Sequence, residues 1–162
     1  MIPDGLREAR LNRDAPAALR IRSSHPTDGD RVLQIWRDAV DATHHFLSVE
    51  DRIAIGDEVG GFLPQASLML AVDPTDRPLG FMLIDRGHME ALFVDPVAFG
   101  QGIGAALVRH GLARYPGMTT DVNEQNERAV GFYERMGFVP TGRSPRDGQG
   151  RPYPLIHLAH RR

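Results

Sequence analysis

The spacing of apolar residues near the N-terminus predicts a short strand followed by an amphipathic helix. Leu19 and Ile21 alternate with arginines, which is typical of a strand. Apolar residues then recur at helical spacing over 32–40. Thr27, with an acidic residue three positions later, predicts the N-cap of this helix. We expect the helix to end near His44.

The rest of the pattern predicts a second helix, a three-stranded meander, two further helix–strand pairs and a last strand. Ser48, with Asp51 three residues on, predicts the N-cap of the second helix, and Pro64 its end. The meander strands are expected at 68–72, 79–84 and 88–94, joined by turns too short for crossover helices. Helices at 103–115 and 126–136 and strands at 119–122, 138–141 and 154–159 complete the pattern. This order predicts an α+β fold, a mixed sheet with helices packed on it.

Length and composition favour a single domain. We expect a flexible N-terminal arm at 1–18 and one domain at 19–162. The net charge of −2, with acidic and basic residues mixed, argues against nucleic acid as a partner. No apolar run is long enough to span a membrane and no secretory signal is visible, so a cytoplasmic protein without a membrane partner is expected. The chain has no cysteine, which excludes thiolate chemistry.

A glycine-rich loop follows the last meander strand and precedes a helix. Gly100, Gly102 and Gly104 leave backbone N–H groups uncovered beside the positive end of that helix, which predicts an anion site for phosphate groups. The same letters also fit a dinucleotide-binding fingerprint, with Asp121 about 20 residues further on. A meander before the loop, rather than a βαβ unit, counts against that alternative.

Two segments in this order resemble the motifs of the GCN5-related N-acetyltransferase (GNAT) superfamily. The first is LFVDP followed by FGQGIGAALV, similar to the superfamily's acyl-CoA diphosphate loop. The second is NERAVGFYERMGF, similar to its Asn, Ala, Phe-Tyr and Gly-Phe motif. Further stretches, including DATHHFLS and TGRS, resemble a group of small bacterial acetyltransferases within it. The resemblance implies the GNAT fold: a mostly antiparallel sheet of six to seven strands, about four helices, and a V-shaped splay between the fourth and fifth strands.

The resemblance also implies a cofactor and a set of residues that bind it. The cofactor is acetyl-CoA, with CoA as product and no metal. Its pantetheine arm would pair with the edge of the fourth strand, and its diphosphate would lie on the glycine-rich loop. The implied cofactor-binding residues are Leu92, Phe93, Val94, Phe99, Gly100, Gln101, Gly102, Ile103, Gly104, Ala105, Asn123, Asn126, Ala129, Phe132 and Tyr133.

One position departs from the superfamily pattern. The diphosphate loop usually begins with Arg or Gln, and aligning the glycines places Phe99 there. A phenyl ring adds no charge or polar contact to a diphosphate, so weaker binding is expected, with the side chain of Gln101 as a candidate for partial compensation.

Tyr133 is the leading candidate for the catalytic acid, since a phenol can protonate a departing thiolate. Glu90, or a water that it relays, is the candidate base, because period two places it on the face of Leu92. Each has a plainer alternative: Tyr133 as core packing, Glu90 as an exposed strand residue. His44 or His45 could also serve as base, although adjacent histidines on a helix point in different directions.

The function that these observations predict is transfer of an acetyl group from acetyl-CoA to a primary amine, either a small molecule or a protein amine. A monomer or a homodimer is expected. The alternative is a non-catalytic GNAT-like domain that binds acyl-CoA as a sensor. The phenylalanine at the start of the loop is the feature that favours this alternative.

Overall fold

A computed structural model describes residues 18–161. All of the predicted N-terminal arm except Ala18 lies outside the described residues. The strands are β1 (Arg20–Ser23), β2 (Met69–Val72), β3 (Pro78–Asp85), β4 (His88–Val94), β5 (Thr119–Asn123), β6 (Phe138–Ser144) and β7 (Leu155–His160). The α-helices are α1 (Gly29–Thr43), α2 (Val49–Phe62), α3 (Ile103–Arg114) and α4 (Glu127–Arg135). Within the described residues, no helix is both long and apolar enough to cross a membrane.

The strands form one mixed sheet in the order β1-β2-β3-β4-β5-β7-β6. Every neighbouring pair is antiparallel except β4 and β5, which are parallel. The short turns between β2, β3 and β4 produce the predicted meander, and helix α3 makes the crossover to β5. The predicted α+β fold is therefore confirmed.

Strands β4 and β5 separate soon after they begin. They pair only at His88 with Thr119 and at Met89 with Thr120. The rest of β4 pairs with β3 but, within residues 18–161, has no strand partner on its other side. The sheet is continuous elsewhere but opens between β4 and β5. The fold therefore contains the predicted V-shaped splay.

The sheet divides the apolar interior into two clusters. One cluster packs α3 and α4 against the sheet and includes Leu107, Val108 and the ring of Tyr133. The other packs α1 against the opposite face and includes Ile35 and Trp36. The helices on the glycine-loop side and the helices before β2 therefore belong to different cores.

Helix α1 begins later than predicted. Pro26 starts a 3₁₀ turn at Pro26–Asp28, and α1 follows from Gly29. The carboxylate of Asp28 accepts the backbone N–H of His25 at 2.7 Å and pairs with Arg22 at 2.9 Å. Thr27 as N-cap was therefore wrong, since the proline and the partly buried ion pair fix the entry to the helix instead.

The start of α2 matches its prediction. The Ser48 hydroxyl accepts the backbone N–H of Asp51 at 3.1 Å. The Tyr153 hydroxyl accepts the Ser48 N–H at 3.1 Å and donates to the Asp51 carboxylate. Arg151 pairs with Glu58 of the same helix at 2.9 Å. The segment before β7 therefore contacts α2 both at its first turn and further along the helix, at Glu58.

Replacing Ser48 with alanine is expected to lower the free energy of unfolding by about 1 kcal/mol, the usual effect of losing an N-cap. Urea denaturation followed by circular dichroism would measure it. Ser67→Ala is the matched control, because Ser67 is exposed and its hydroxyl makes no hydrogen bond within residues 18–161. Equal stability of the two variants would contradict a capping role for Ser48.

Candidate active site

A cavity of about 420 Å³ lies beside the end of β4, lined by Leu92, Phe93 and Val94 and by residues of α4. It runs from the glycine-rich loop and the start of α3 to the end of α1. The structure brings most of the predicted cofactor-binding residues into its lining. These are Leu92, Phe93, Val94, Phe99, Gly100, Gly102, Ile103, Gly104, Ala105, Asn126, Ala129, Phe132 and Tyr133.

The loop before α3 depends on glycine at two positions. Gly100 has φ +80° and Gly102 has φ +76°, both in the left-handed region that side chains disfavour. Gly102 is also the N-cap residue of α3, whose first backbone N–H groups lack partners within the helix. These N–H groups and the helix dipole make the loop suited to an anion such as a diphosphate.

The unpaired side of β4 offers backbone groups to the cavity. Just after β4, the N–H of Asp95 donates to the carbonyl of Leu79 in β3 at 2.8 Å. Hydrogen-bonding direction alternates along an antiparallel strand, so the N–H and C=O groups of Leu92 and Val94 face the gap. An amide-containing chain such as pantetheine could pair with them as a further strand.

Glu90 does not line the cavity. The β3–β4 register moves from Leu83 opposite Ala91 to Ile84 opposite Met89, so Glu90 is the extra residue of a β-bulge. Met89, rather than Glu90, packs in the same cluster as Leu92. The placement of Glu90 on the cavity-facing side was therefore wrong, because the bulge interrupts the period-two alternation.

Tyr133 is buried, with 7% of its surface exposed, and its side chain lines the cavity. Its ring packs edge-on against Phe132 and Phe138. Burial raises the pKa of the phenol above its ordinary value, while a polar contact with Thr120 opposes that shift. The hydroxyl is therefore protonated at neutral pH and can donate a proton.

His44 lines the cavity from the C-terminal end of α1, whereas His45 is exposed. The Thr43 hydroxyl donates its only proton to the carbonyl of Ala39 at 2.7 Å. His44 Nδ1 lies 2.7 Å from the same hydroxyl oxygen, so Nδ1 must be the protonated ring nitrogen. Burial lowers the pKa of His44 to about 4, with a smaller effect of His45. The ring is then neutral, with a lone pair on Nε2.

Two predicted cofactor-binding residues lie outside the lining. Gln101 is exposed, and Asn123 uses its side-chain oxygen to accept the N–H of Gln125 at 3.0 Å. Asn126 has the predicted N-cap role, since it accepts the N–H of Ala129 at 3.2 Å, and it also lines the cavity.

Several residues that line the cavity were not predicted from the sequence. Arg128 and Arg135 of α4 line it, as do Ala39 and Thr43 of α1. Arg128 and Arg135 are seven residues apart, two helical turns, which places them on one face of α4. That spacing could have indicated that both arginines face the same site. Arginines near helix ends are, however, usually interpreted as exposed to solvent.

The comparisons with known proteins identify the family. The sequence model of the acetyltransferase (GNAT) domain matches residues 46–152. The peptidyl-lysine N-acetyltransferase YjaB of Salmonella typhimurium is 52% identical over 142 residues, which cover 88% of this chain and 98% of that protein. The solution structure of apo YjaB from Escherichia coli superposes with a TM-score of 0.85 at 51% identity, covering 89% of this chain and 98% of that chain.

A more distant structure, the PaiA N-acetyltransferase from Thermoplasma acidophilum in complex with coenzyme A, shares the fold with a TM-score of 0.66 at 15% identity, covering 87% of this chain and 98% of that chain.

The fold, the cavity and these matches support the same conclusion. The chain belongs to the GNAT acetyltransferase family. It is an N-acetyltransferase that uses acetyl-CoA, and the dinucleotide-binding alternative was wrong, because a meander and not a βαβ unit precedes the loop.

Proposed function

We propose that this chain acetylates the ε-amino groups of protein lysines. The observation that carries the proposal is the identity of about one-half, over nearly the full length of the relatives, to two proteins named peptidyl-lysine N-acetyltransferases. Relatives that share this much sequence commonly share the type of acceptor, and the charge of the segment that contains α1 and α2 agrees.

Helix α1 reaches the cavity at Ala39, Thr43 and His44, and the segment that contains α1 and α2 is predominantly acidic, since residues 29–62 include seven acidic and three arginine side chains. Among the acidic residues, Asp38 and Asp57 are exposed and form no ion pair within residues 18–161. A negative field of this kind attracts cationic segments, so it favours lysine-containing peptides with basic neighbours.

The residues of the cavity suit an acetyl thioester and its reaction. Acetyl-CoA supplies the acetyl group as a thioester, whose carbonyl carbon an amine attacks while the carbon–sulfur bond breaks. The loop glycines and the start of α3 would hold its diphosphate, and the free edge at Leu92 and Val94 would hold its pantetheine arm. Tyr133 keeps the proton that the departing sulfur needs.

His44 is the better candidate for the group that receives the amine proton. It lies in the lining, its Nδ1–H is held by Thr43, and its Nε2 carries a free lone pair. Glu90 is exposed and belongs to the bulge, so its carboxylate has no comparable position. In this assignment the proton moves from the amine nitrogen to His44 Nε2, while Tyr133 Oη protonates the thiolate.

The acceptor preference can be tested with Nα-blocked peptides that carry one lysine. We expect a peptide with basic residues beside the lysine to have a kcat/KM about 10-fold higher than one with acidic neighbours, because the acidic surface steers cations. Release of free CoA thiol would give the rate, and mass spectrometry the modified atom. A peptide with arginine in place of lysine is the control.

Acetylation of small amines or free α-amino groups, with no reaction at any lysine, would contradict the proposal. Binding of acetyl-CoA without turnover on any amine would favour the sensor alternative instead.

A further inference from the structure

The glycine-rich loop lacks the polar side chain that usually begins it. Phe99 stands at that position, where GNAT sequences usually have Arg or Gln. Backbone N–H groups at Gly100 and Gly102 remain, but they carry only partial charges. A diphosphate brings full negative charges into the cavity, so a cation from elsewhere would strengthen its binding.

A cation from another element lies directly over this phenylalanine. The guanidinium carbon of Arg128 is 4.3 Å from the centroid of the Phe99 ring, within the range of a cation–π contact. Arg128, Phe99, Gly100 and Gly102 line the same cavity. The ring therefore holds the guanidinium beside the loop in which the usual arginine or glutamine side chain is absent.

The position of Arg128 is fixed by the start of α4. It is the second residue of the helix, and it follows Asn126, whose side chain caps the helix by accepting the N–H of Ala129. The backbone beneath Arg128 is thus held at the edge of the cavity. Only its own side-chain torsions remain to be ordered, and the stacking on Phe99 restricts those.

The charge of Arg128 is not neutralised by the protein. Within residues 18–161, no carboxylate oxygen lies within 4.0 Å of its guanidinium nitrogens, whereas Arg22, Arg31 and Arg143 are all paired with carboxylates. Arg128 is also exposed, so its hydrogen-bond donors are open to a ligand. Guanidinium donors match the oxygens of phosphate groups in a bidentate arrangement.

We propose that Arg128, positioned by Phe99, replaces the missing loop side chain and binds the diphosphate of coenzyme A. The inference rests on the use of acetyl-CoA by this chain. In this arrangement the positive charge comes from the first turn of α4 rather than from the loop. Phe99 then contributes to the site indirectly, because its ring stacks on the guanidinium and orients it.

Isothermal titration of the full chain with CoA tests the assignment. Arg128→Gln is expected to raise the Kd about 10-fold or more, since a charge-assisted hydrogen bond contributes at least that factor. Arg114→Gln is the matched control, because Arg114 also stacks on an aromatic ring, at 5.6 Å from Tyr115, but does not line the cavity. The control should bind CoA like the wild type.

A charge-swap variant separates a direct contact from a general loss of structure. Adding Phe99→Arg to Arg128→Gln restores a cation at the start of the loop, so the double variant is expected to recover most of the lost affinity. An unchanged Kd for Arg128→Gln, or a double variant no better than the single one, would overturn the inference. Failure of the wild type itself to bind CoA would instead overturn the use of acetyl-CoA.

Dephospho-CoA, which keeps the diphosphate but lacks the 3′-phosphate, identifies the group that is bound. The affinity loss from Arg128→Gln should be as large with dephospho-CoA as with CoA. A loss that disappears with dephospho-CoA would assign Arg128 to the 3′-phosphate and contradict the diphosphate contact. Raising the salt concentration should narrow the gap between wild type and Arg128→Gln, because screening weakens a charge–charge contact.

Discussion

Replacing Tyr133 with phenylalanine is expected to lower kcat about 100-fold, because the variant keeps the ring and loses only the proton donor. Positioned general acids typically contribute ~10²–10⁴-fold. The raised pKa of the buried phenol keeps it protonated throughout the neutral range, so it can act as an acid there. Release of CoA thiol with saturating acetyl-CoA and a lysine peptide would measure the effect.

The affinity for CoA should change little in Tyr133→Phe, since the ring remains in the lining. Tyr115→Phe is the control: it removes a hydroxyl hydrogen-bonded to Arg114 at 3.2 Å, outside the cavity. Unaltered turnover in Tyr133→Phe would remove the phenol from the mechanism, and it would leave its ring with a packing role beside Phe132 and Phe138.

Replacing His44 with alanine is expected to lower kcat about 100-fold as well, through loss of the proton acceptor. The variant leaves a space in the cavity wall where the ring stood. Added imidazole should partly restore the rate, in proportion to its concentration, because a free base can occupy that space. Restoration by imidazole, rather than by a non-basic molecule of similar size such as pyrrole, distinguishes proton transfer from packing.

The hydroxyl of Thr43 supplies a second test of the same assignment. Thr43→Val removes the oxygen that accepts Nδ1–H of His44, so we expect a lower kcat with little change in the Kd for CoA. Thr43→Ser keeps the hydroxyl and should retain activity. A fully active His44→Ala variant, or one that imidazole does not rescue, would refute a catalytic role for His44.

The lowered pKa of His44 has a defined consequence for pH dependence. Its folded value of about 4 lies below the ordinary value of 6.5, so the unfolded chain binds this proton more readily than the folded chain. Stability from this group is complete above about pH 6.5 and is lost as the pH falls toward 4. Between pH 6 and 9, His44 stays neutral and should add no ionisation of its own to the rate profile.

Much of the fold could be predicted from the sequence, because its signals are local. Ser48 as a cap, the short meander turns and the glycines at 100 and 102 each follow from neighbouring residues. The start of α1 was not predicted, because it depends on the turn that begins at Pro26 together with the ion pair between Arg22 and Asp28. That ion pair joins a strand to a turn, and the spacing of apolar residues does not indicate it.

The least predictable parts of the site depend on contacts between elements. Glu90 fits a period-two pattern, but the register of β3 and β4 places a bulge there. Which of two adjacent histidines faces the cavity depends on how α1 ends, and the Thr43 contact selects His44. The pairing of Phe99 with Arg128 joins positions 29 residues apart, so neither residue alone indicates a shared role.

The division of the apolar interior by the sheet bears on how this enzyme can diverge. Helix α1, with His44 at its end, packs in one cluster, and the helices that flank the diphosphate loop pack in the other. Substitutions around Trp36 therefore act first on the α1 side of the cavity, and they leave the packing of the diphosphate loop in the other cluster unchanged. A new preference for the acceptor amine can therefore arise by single substitutions on the α1 side of the sheet. The α3–α4 side, which binds the acyl donor, need not change.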